Sequence, residues 1–249
     1  MSRKSSFLAM EEWRRIPFRK TPPSPVDALM SEAAAIPSIL EKLDGDGSAD
    51  GNKTSLDEFN AVLRRLDSWE AAFQSSAPPP LFWYKSSGEV GRQYIWFQSI
   101  TAANAMTHLW AFRAICFRNI DRLTTSYPPM GSDNPREATH SGDTKRLSVM
   151  ICQSMEYLMQ DRMKLFGPTS VILPLRTAYE TFEAGGLETK EELNWCKGIV
   201  ANILSEGHNF LSLFFEVPSD LAPASSSASS CSSRDRETEP KGLLGAGKE

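Results

Sequence analysis

Apolar residues recur at helical spacing along most of the chain, and proline and glycine punctuate the stretches between them. Val26, Leu29, Met30, Ala33, Ile36, Ile39, Leu40 and Leu43 fall three and four residues apart, which predicts a helix starting at Pro25. Ser24 is suited to cap it, with Pro25 at the first helical position and Asp27 in the first turn. Pro37 is expected to kink or interrupt this helix, because its ring removes a donor and crowds the preceding turn. Leu56, Phe59, Leu63, Leu66, Trp69 and Phe73 form a second stripe. Ser55 is its expected cap, with Glu58 completing a capping box. From about Val90 to Thr125 the pattern is apolar around most of the circumference, with Tyr94, Phe97, Ile100, Leu109, Phe112, Ile115 and Ile120 among its members. Such a pattern predicts one long central helix buried on several sides. Leu147 to Phe166 predicts another helix stopped by Gly167-Pro168, and Val171 to Phe182 a further one around Pro174, closed by Gly185-Gly186. Glu188 to Phe215 reads as the last helix. No strand-like alternation is read anywhere, so the expected fold class is all-α: an irregular multi-helix domain with Pro-rich joints.

The punctuation divides the chain into an extended N-terminal segment over residues 1–24, a helical domain over residues 25–217 and a disordered tail over residues 218–249. Asp44 to Asn52 reads as a loop, and Ser126 to Thr144 as a flexible connection. Leu81-Phe82-Trp83-Tyr84 follows three prolines and is too short for a helix by itself; it is expected to plug a groove between helices. No period of repeat length recurs, which leaves a solenoid without support.

Composition adds the material for a core. The 249 residues include six Trp and 13 Phe, and 41% are hydrophobic against 23% charged, the balance of a globular protein. The net charge of −4 argues against DNA contact by the chain as a whole. Arg3, Lys4, Arg14, Arg15, Arg19 and Lys20 gather near the N-terminus and read as solvated charges. Cys116, Cys152, Cys196 and Cys231 include no Cys-x-x-Cys pair, so neither a metal site nor a disulfide framework is expected. No signal-peptide core and no membrane-spanning run is read, which predicts an intracellular protein with reduced thiols.

Catalytic motifs are missing from the sequence. There is no His-Glu-x-x-His, no Gly-x-Ser-x-Gly elbow and no phosphate loop, and His108, His140 and His208 stand apart. Asp46, Ser48, Asp50, Gly51 and Asp57 imitate the ligand positions of a calcium loop. Lys53 stands where an apolar residue belongs, and Asp57 replaces the closing Glu, so an acidic inter-helix loop is the preferred reading. No catalytic, cofactor-binding or metal-binding residue is assigned, and the chain is not expected to be an enzyme.

A set of motifs in fixed order carries a resemblance. They are Pro22-Pro23-Ser24-Pro25-Val26-Asp27 with Leu29, Ile36-Pro37-Ser38-Ile39-Leu40, Trp69, Pro79-Pro80-Leu81-Phe82-Trp83-Tyr84 and Trp110-Ala111. Ile151-Cys152-Gln153-Ser154-Met155-Glu156-Tyr157, Gly167-Pro168, Pro174-Leu175 with Ala178, and Trp195-Cys196 complete it. Over roughly residues 13–204 the chain resembles the C-terminal, fungal-specific regulatory region of fungal zinc-cluster transcription factors. The resemblance implies an all-helical regulatory domain in the nucleus that contacts protein partners or a small-molecule effector. It further implies a homo- or heterodimer and control of a metabolic or secondary-metabolite gene set. In that family DNA is bound by a separate module of six cysteines around two zinc ions. The first cysteine here is Cys116, so direct nucleic-acid binding is not expected of these residues. Independently of the resemblance, Trp69, Trp83, Trp110 and Trp195 read as core anchors. The alternative is a helical ligand-binding protein or enzyme whose pocket is lined by Leu81 to Tyr84 and the Met-rich segment Met150 to Met163.

Overall fold

The structure, a computed structural model, describes residues 4–45, 48–86, 93–126, 140–163, 166–208 and 212–215. Its helices are α1 (Glu11–Arg15), α2 (Pro25–Ala33), α3 (Ile36–Gly45), α4 (Ala49–Ser76), α5 (Ile100–Ser126), α6 (Ser141–Gln153), α7 (Met155–Leu158), α8 (Phe166–Ser170), α9 (Ile172–Ala184) and α10 (Lys190–Ser205). Between α4 and α5 lies a hairpin of β1 (Phe82–Ser86) and β2 (Gln93–Phe97). The all-α class holds, with this two-stranded sheet as the exception among the described residues.

α2 begins as its residues dictate. The Asp27 N–H donates to Ser24 Oγ at 3.2 Å, and Asp27 Oδ2 accepts from the Ser24 N–H at 3.1 Å. Two orphan amides at the helix start are thereby satisfied. Pro37 does not kink a continuous helix. The chain turns at Ala34 and Ala35, and Pro37 falls in the first turn of α3, where a missing N–H is harmless. α4 starts seven residues earlier than the Ser55 cap implies. Ser48 caps it by accepting from the Gly51 N–H at 3.0 Å, while Ser55 is buried inside the helix. Asp50, Gly51 and Asp57 are therefore helical, and the expected loop ends at Ser48. Asp46 lies outside the described residues.

Residues 1–24 are not extended throughout: Phe7–Ala9 forms a single 3-10 turn and Glu11–Arg15 a short helix. The largest departure is at residues 93–99. The expected central helix does not include Tyr94 or Phe97, which belong to β2; it begins at Ile100. β1 and β2 pair antiparallel with Phe82 opposite Phe97, Trp83 opposite Trp96 and Tyr84 opposite Ile95. Ile95 and Phe97 point into the core while Tyr94 and Trp96 are half-buried. The alternation is physically there, but aromatic side chains on both faces conceal it in the sequence.

α5 is the central element. Nearly every residue from Ala102 to Ile120 is buried, and the helix packs against α2, α4, α6 and α9. Phe59, Leu66, Leu109, Ile151, Leu175 and Phe182 fill the layers around it. Each such burial is worth about 1.5–3 kcal/mol over exposure. Trp69 and Trp110 are core anchors as expected, and Trp69 Nε1 donates to the Pro25 carbonyl at 3.1 Å. Trp83 is not: it is 42% exposed on the outer face of β1.

Three further boundaries move. Ser141 to Thr144 form the first turn of α6, not a connection; residues 127–139 lie outside the described residues. The helix expected to run from Leu147 to Phe166 breaks at Ser154, and Gly167-Pro168 sit within α8 and do not end it. A Cβ on Gly167 would lie 1.9 Å from the Leu158 carbonyl oxygen, so the absent side chain permits a close backbone approach. The last helix ends at Ser205, followed by Gly207 at φ +92°, well before Phe215. The tail over residues 218–249 lies outside the described residues. No helix among those described is long and apolar enough to cross a membrane.

Candidate functional site

The break at Ser154 shapes the principal concavity. Ser154 Oγ donates to the Met150 carbonyl at 2.8 Å, and the Ser154 N–H donates to the Met150 and Ile151 carbonyls. These bonds hold the end of α6 while the chain re-aims into α7. Met155 and Met159 thereby face α10 across an open groove of about 480 Å³. Its far wall is one face of α10, formed by Trp195, Gly198, Ile199, Asn202 and Glu206, and Tyr94 of β2 closes one end. Glu156 stands on the α7 side.

The groove has an apolar floor and an acidic rim. Cys152, Met155 and Ile203 are buried beneath it, while Glu156, Asn202 and Glu206 are exposed. Among the described residues no Lys, Arg or His lines it. Gly198 has no neighbour within 4 Å of where a Cβ would stand, so the wall is lowered there. The volume falls within the range of small-molecule sites. The arrangement suits an elongated apolar body carrying a cation: thioethers and an indole pack the body, and the two carboxylates attract the charge.

A second concavity of about 420 Å³ lies beside the hairpin, lined by Tyr84, Gln93, Lys145, Arg146, Val149, Met150 and Gln153. Its cations are engaged. Lys145 Nζ is 2.8 Å from Glu192 of α10, and Arg146 pairs with Asp143 at 3.4 Å. The pocket expected from Leu81 to Tyr84 together with Met150 to Met163 is thus not assembled as one site. Leu81 enters the core, Tyr84 and Met150 line this second concavity, and Met155 and Met159 line the first. Phe82 instead joins an aromatic cluster, its ring 5.6 Å from Trp110 and 6.0 Å from Phe97, with Tyr157 5.4 Å from Phe97.

The titratable groups outside the grooves are structural. His108 is buried and its Nδ1 lies 2.8 Å from the Asn104 carbonyl, one turn back on the same helix. Burial lowers its pKa and outweighs the opposing effect of this hydrogen bond, which keeps the ring neutral. His140 stacks on Phe117 at 4.4 Å, and its backbone N–H donates to Asp121 Oδ1. Cys116, Cys152 and Cys196 are buried, and burial pushes the Cys116 thiol up to about 12, far from a reactive thiolate. Cys231 lies outside the described residues. Burial also raises the Tyr157 phenol, against the lowering influence of Arg162. Among the described residues no group of three or more His, Cys, Asp or Glu could hold a metal ion.

Sequence reasoning placed Trp195 and Ile199 on the apolar side of the last helix but missed that this side opens into a groove. A signal was present. Trp195, Ile199, Asn202 and Glu206 repeat at helical spacing and pass from apolar to acidic along one face. No family model, curated protein or solved structure matches the chain.

Proposed function

We propose that this protein is a regulatory domain of the transcription-factor type, acting in the nucleus through an amphipathic cationic effector bound in the groove between α7, α10 and β2. The observation that carries the reading is that groove: large enough for a small molecule, apolar at its floor, and rimmed by Glu156 and Glu206 with no lining cation among the described residues. The motif order from Pro22 to Cys196 supports the regulatory role and the nuclear location, and with them the control of a metabolic gene set. DNA contact would fall to a partner, because the chain's net charge is −4.

Native mass spectrometry of the full chain, purified from its own cells, tests the effector. The expected result is a retained small cation that Glu156→Lys with Glu206→Lys releases without loss of fold. A chain that carries no adduct, and whose melting temperature no amphipathic cation raises, contradicts the groove as an effector site.

A further inference from the structure

The groove leaves the N-terminal segment unexplained. Phe7, Leu8, Met10, Trp13 and Ile16 are 51–57% exposed, and neither the 3-10 turn nor α1 buries a single residue. The Phe7 ring meets Trp13 edge-on at 5.0 Å, which gathers the apolar side chains into one patch. The segment is held to the body by polar ties. The Ser5 N–H donates to Glu41 at 2.7 Å, and Arg14 lies 3.7 Å from Glu32. Those ties leave the rings facing outward.

The same twenty residues contain Arg3, Lys4, Arg14, Arg15, Arg19 and Lys20 against Glu11 and Glu12. The whole chain is at −4, so everything after this segment is more acidic still. A strongly basic, aromatic-bearing end on an acidic body is a polarised arrangement. Nucleic acid would satisfy the cations but not Phe7, Leu8, Met10 and Ile16. A groove in a protein requires a stripe on one continuous helix; Phe7, Met10, Trp13 and Ile16 fall three apart in sequence, but Met10 is extended between the 3-10 turn and the five-residue helix and breaks any such stripe. A lipid interface imposes no such register: headgroups take the cations, and the fluid acyl boundary takes irregular rings and chains.

We propose that residues 4–20 dock the protein on an anionic membrane surface, with Phe7, Leu8, Met10, Trp13 and Ile16 entering the interface and the flanking Arg and Lys side chains on the headgroups. The acidic body is repelled by the same surface, so the basic segment is the part that meets the lipid. This docking does not depend on the effector reading, since no residue is shared between the two surfaces.

Sedimentation of the full chain with phosphatidylcholine vesicles, with and without phosphatidylserine, tests the proposal. The chain is expected to pellet with the mixed vesicles and not with phosphatidylcholine alone, and to be released as salt rises. Trp13→Ser with Ile16→Ser, and separately Arg15→Glu with Arg19→Glu, should each weaken binding by about tenfold or more. These positions are exposed, and an unchanged melting temperature will show that fold is kept. The proposal is overturned if the wild-type chain ignores mixed vesicles, or if the Ser variants bind them as well as wild type. It is overturned equally if ultracentrifugation shows the segment sealed in a dimer that the Ser variants dissociate, because a second copy then covers the patch.

Discussion

Gly167 and Gly198 make opposite demands on the chain. A methyl at position 167 would strike the Leu158 backbone oxygen at 1.9 Å and Met163 Cβ at 2.9 Å. Gly167→Ala should therefore destabilise the protein by about 1–3 kcal/mol, read as a lowered urea midpoint. At position 198 nothing lies within 4 Å, and the residue is exposed within α10. Gly198→Ala should stabilise by about 0.5–1 kcal/mol in the same experiment, because glycine is a poor helix former. His108 supplies a pH signature at the same scale. Its folded pKa lies below the reference value of 6.5, so the unfolded chain takes up the proton more readily. Stability is then complete above that reference and declines as pH falls toward the folded value. Melting temperature should drop between about pH 7 and pH 5 in the wild type and drop less in His108→Leu. Glu180 behaves in the same sense at lower pH. Burial raises its pKa, but hydrogen bonds and charge from Arg176 and Arg118 win, leaving it below 4.5 and adding a second loss in more acid solution.

Among the elements, the hairpin depends on contacts from distant residues. Phe82 and Phe97 meet Trp110 of α5, and Tyr157 of α7 touches both Trp96 and Phe97, at 5.6 and 5.4 Å. Lys85 lies over the Trp96 ring at 3.9 Å on the outer side. Tyr157→Ala should cost about 3 kcal/mol and diminish the near-ultraviolet circular dichroism, since it empties the joint between sheet and helices. This dependence explains what the sequence could and could not convey. α2 was legible because Ser24, Pro25 and Asp27 decide its start locally. The stripe from Phe59 to Phe73 was legible because one face of α4 is buried along its length. The strand at Gln93–Phe97 was not, because Tyr94 to Phe97 is uninterruptedly apolar and only Gln98 and Ser99 separate it from the apolar α5. The break at Ser154 was hidden too: serine is tolerated within helices, and its Oγ bond to the carbonyl four residues back also occurs at Ser68 and Ser75 inside the unbroken α4. The groove depends on both of those features, so its residues were visible on α10 while its existence was not.

For the whole molecule, α5 joins two halves through charge as well as packing. Arg113 binds Asp67 and Glu70 of α4 at 2.5 and 2.7 Å, and Arg118 binds Glu180 of α9 at 2.9 Å. Arg113 and Glu70 are largely screened from water, with side chains 16% and 21% exposed. Removing Arg113 leaves that carboxylate without its partner, so Arg113→Met should destabilise by about 1–3 kcal/mol in a denaturant titration. The open face between α7, α10 and β2 is the part of the molecule that offers a small molecule a groove. The regulation of transcription proposed for this face is tested most directly by the transcript profile of cells carrying Gly198→Trp, which fills the groove, set beside wild-type cells and cells lacking the gene. The expected result is a defined gene set altered in the deletion and altered again, in part, by the groove variant expressed at wild-type level. A deletion that leaves every transcript unchanged contradicts it.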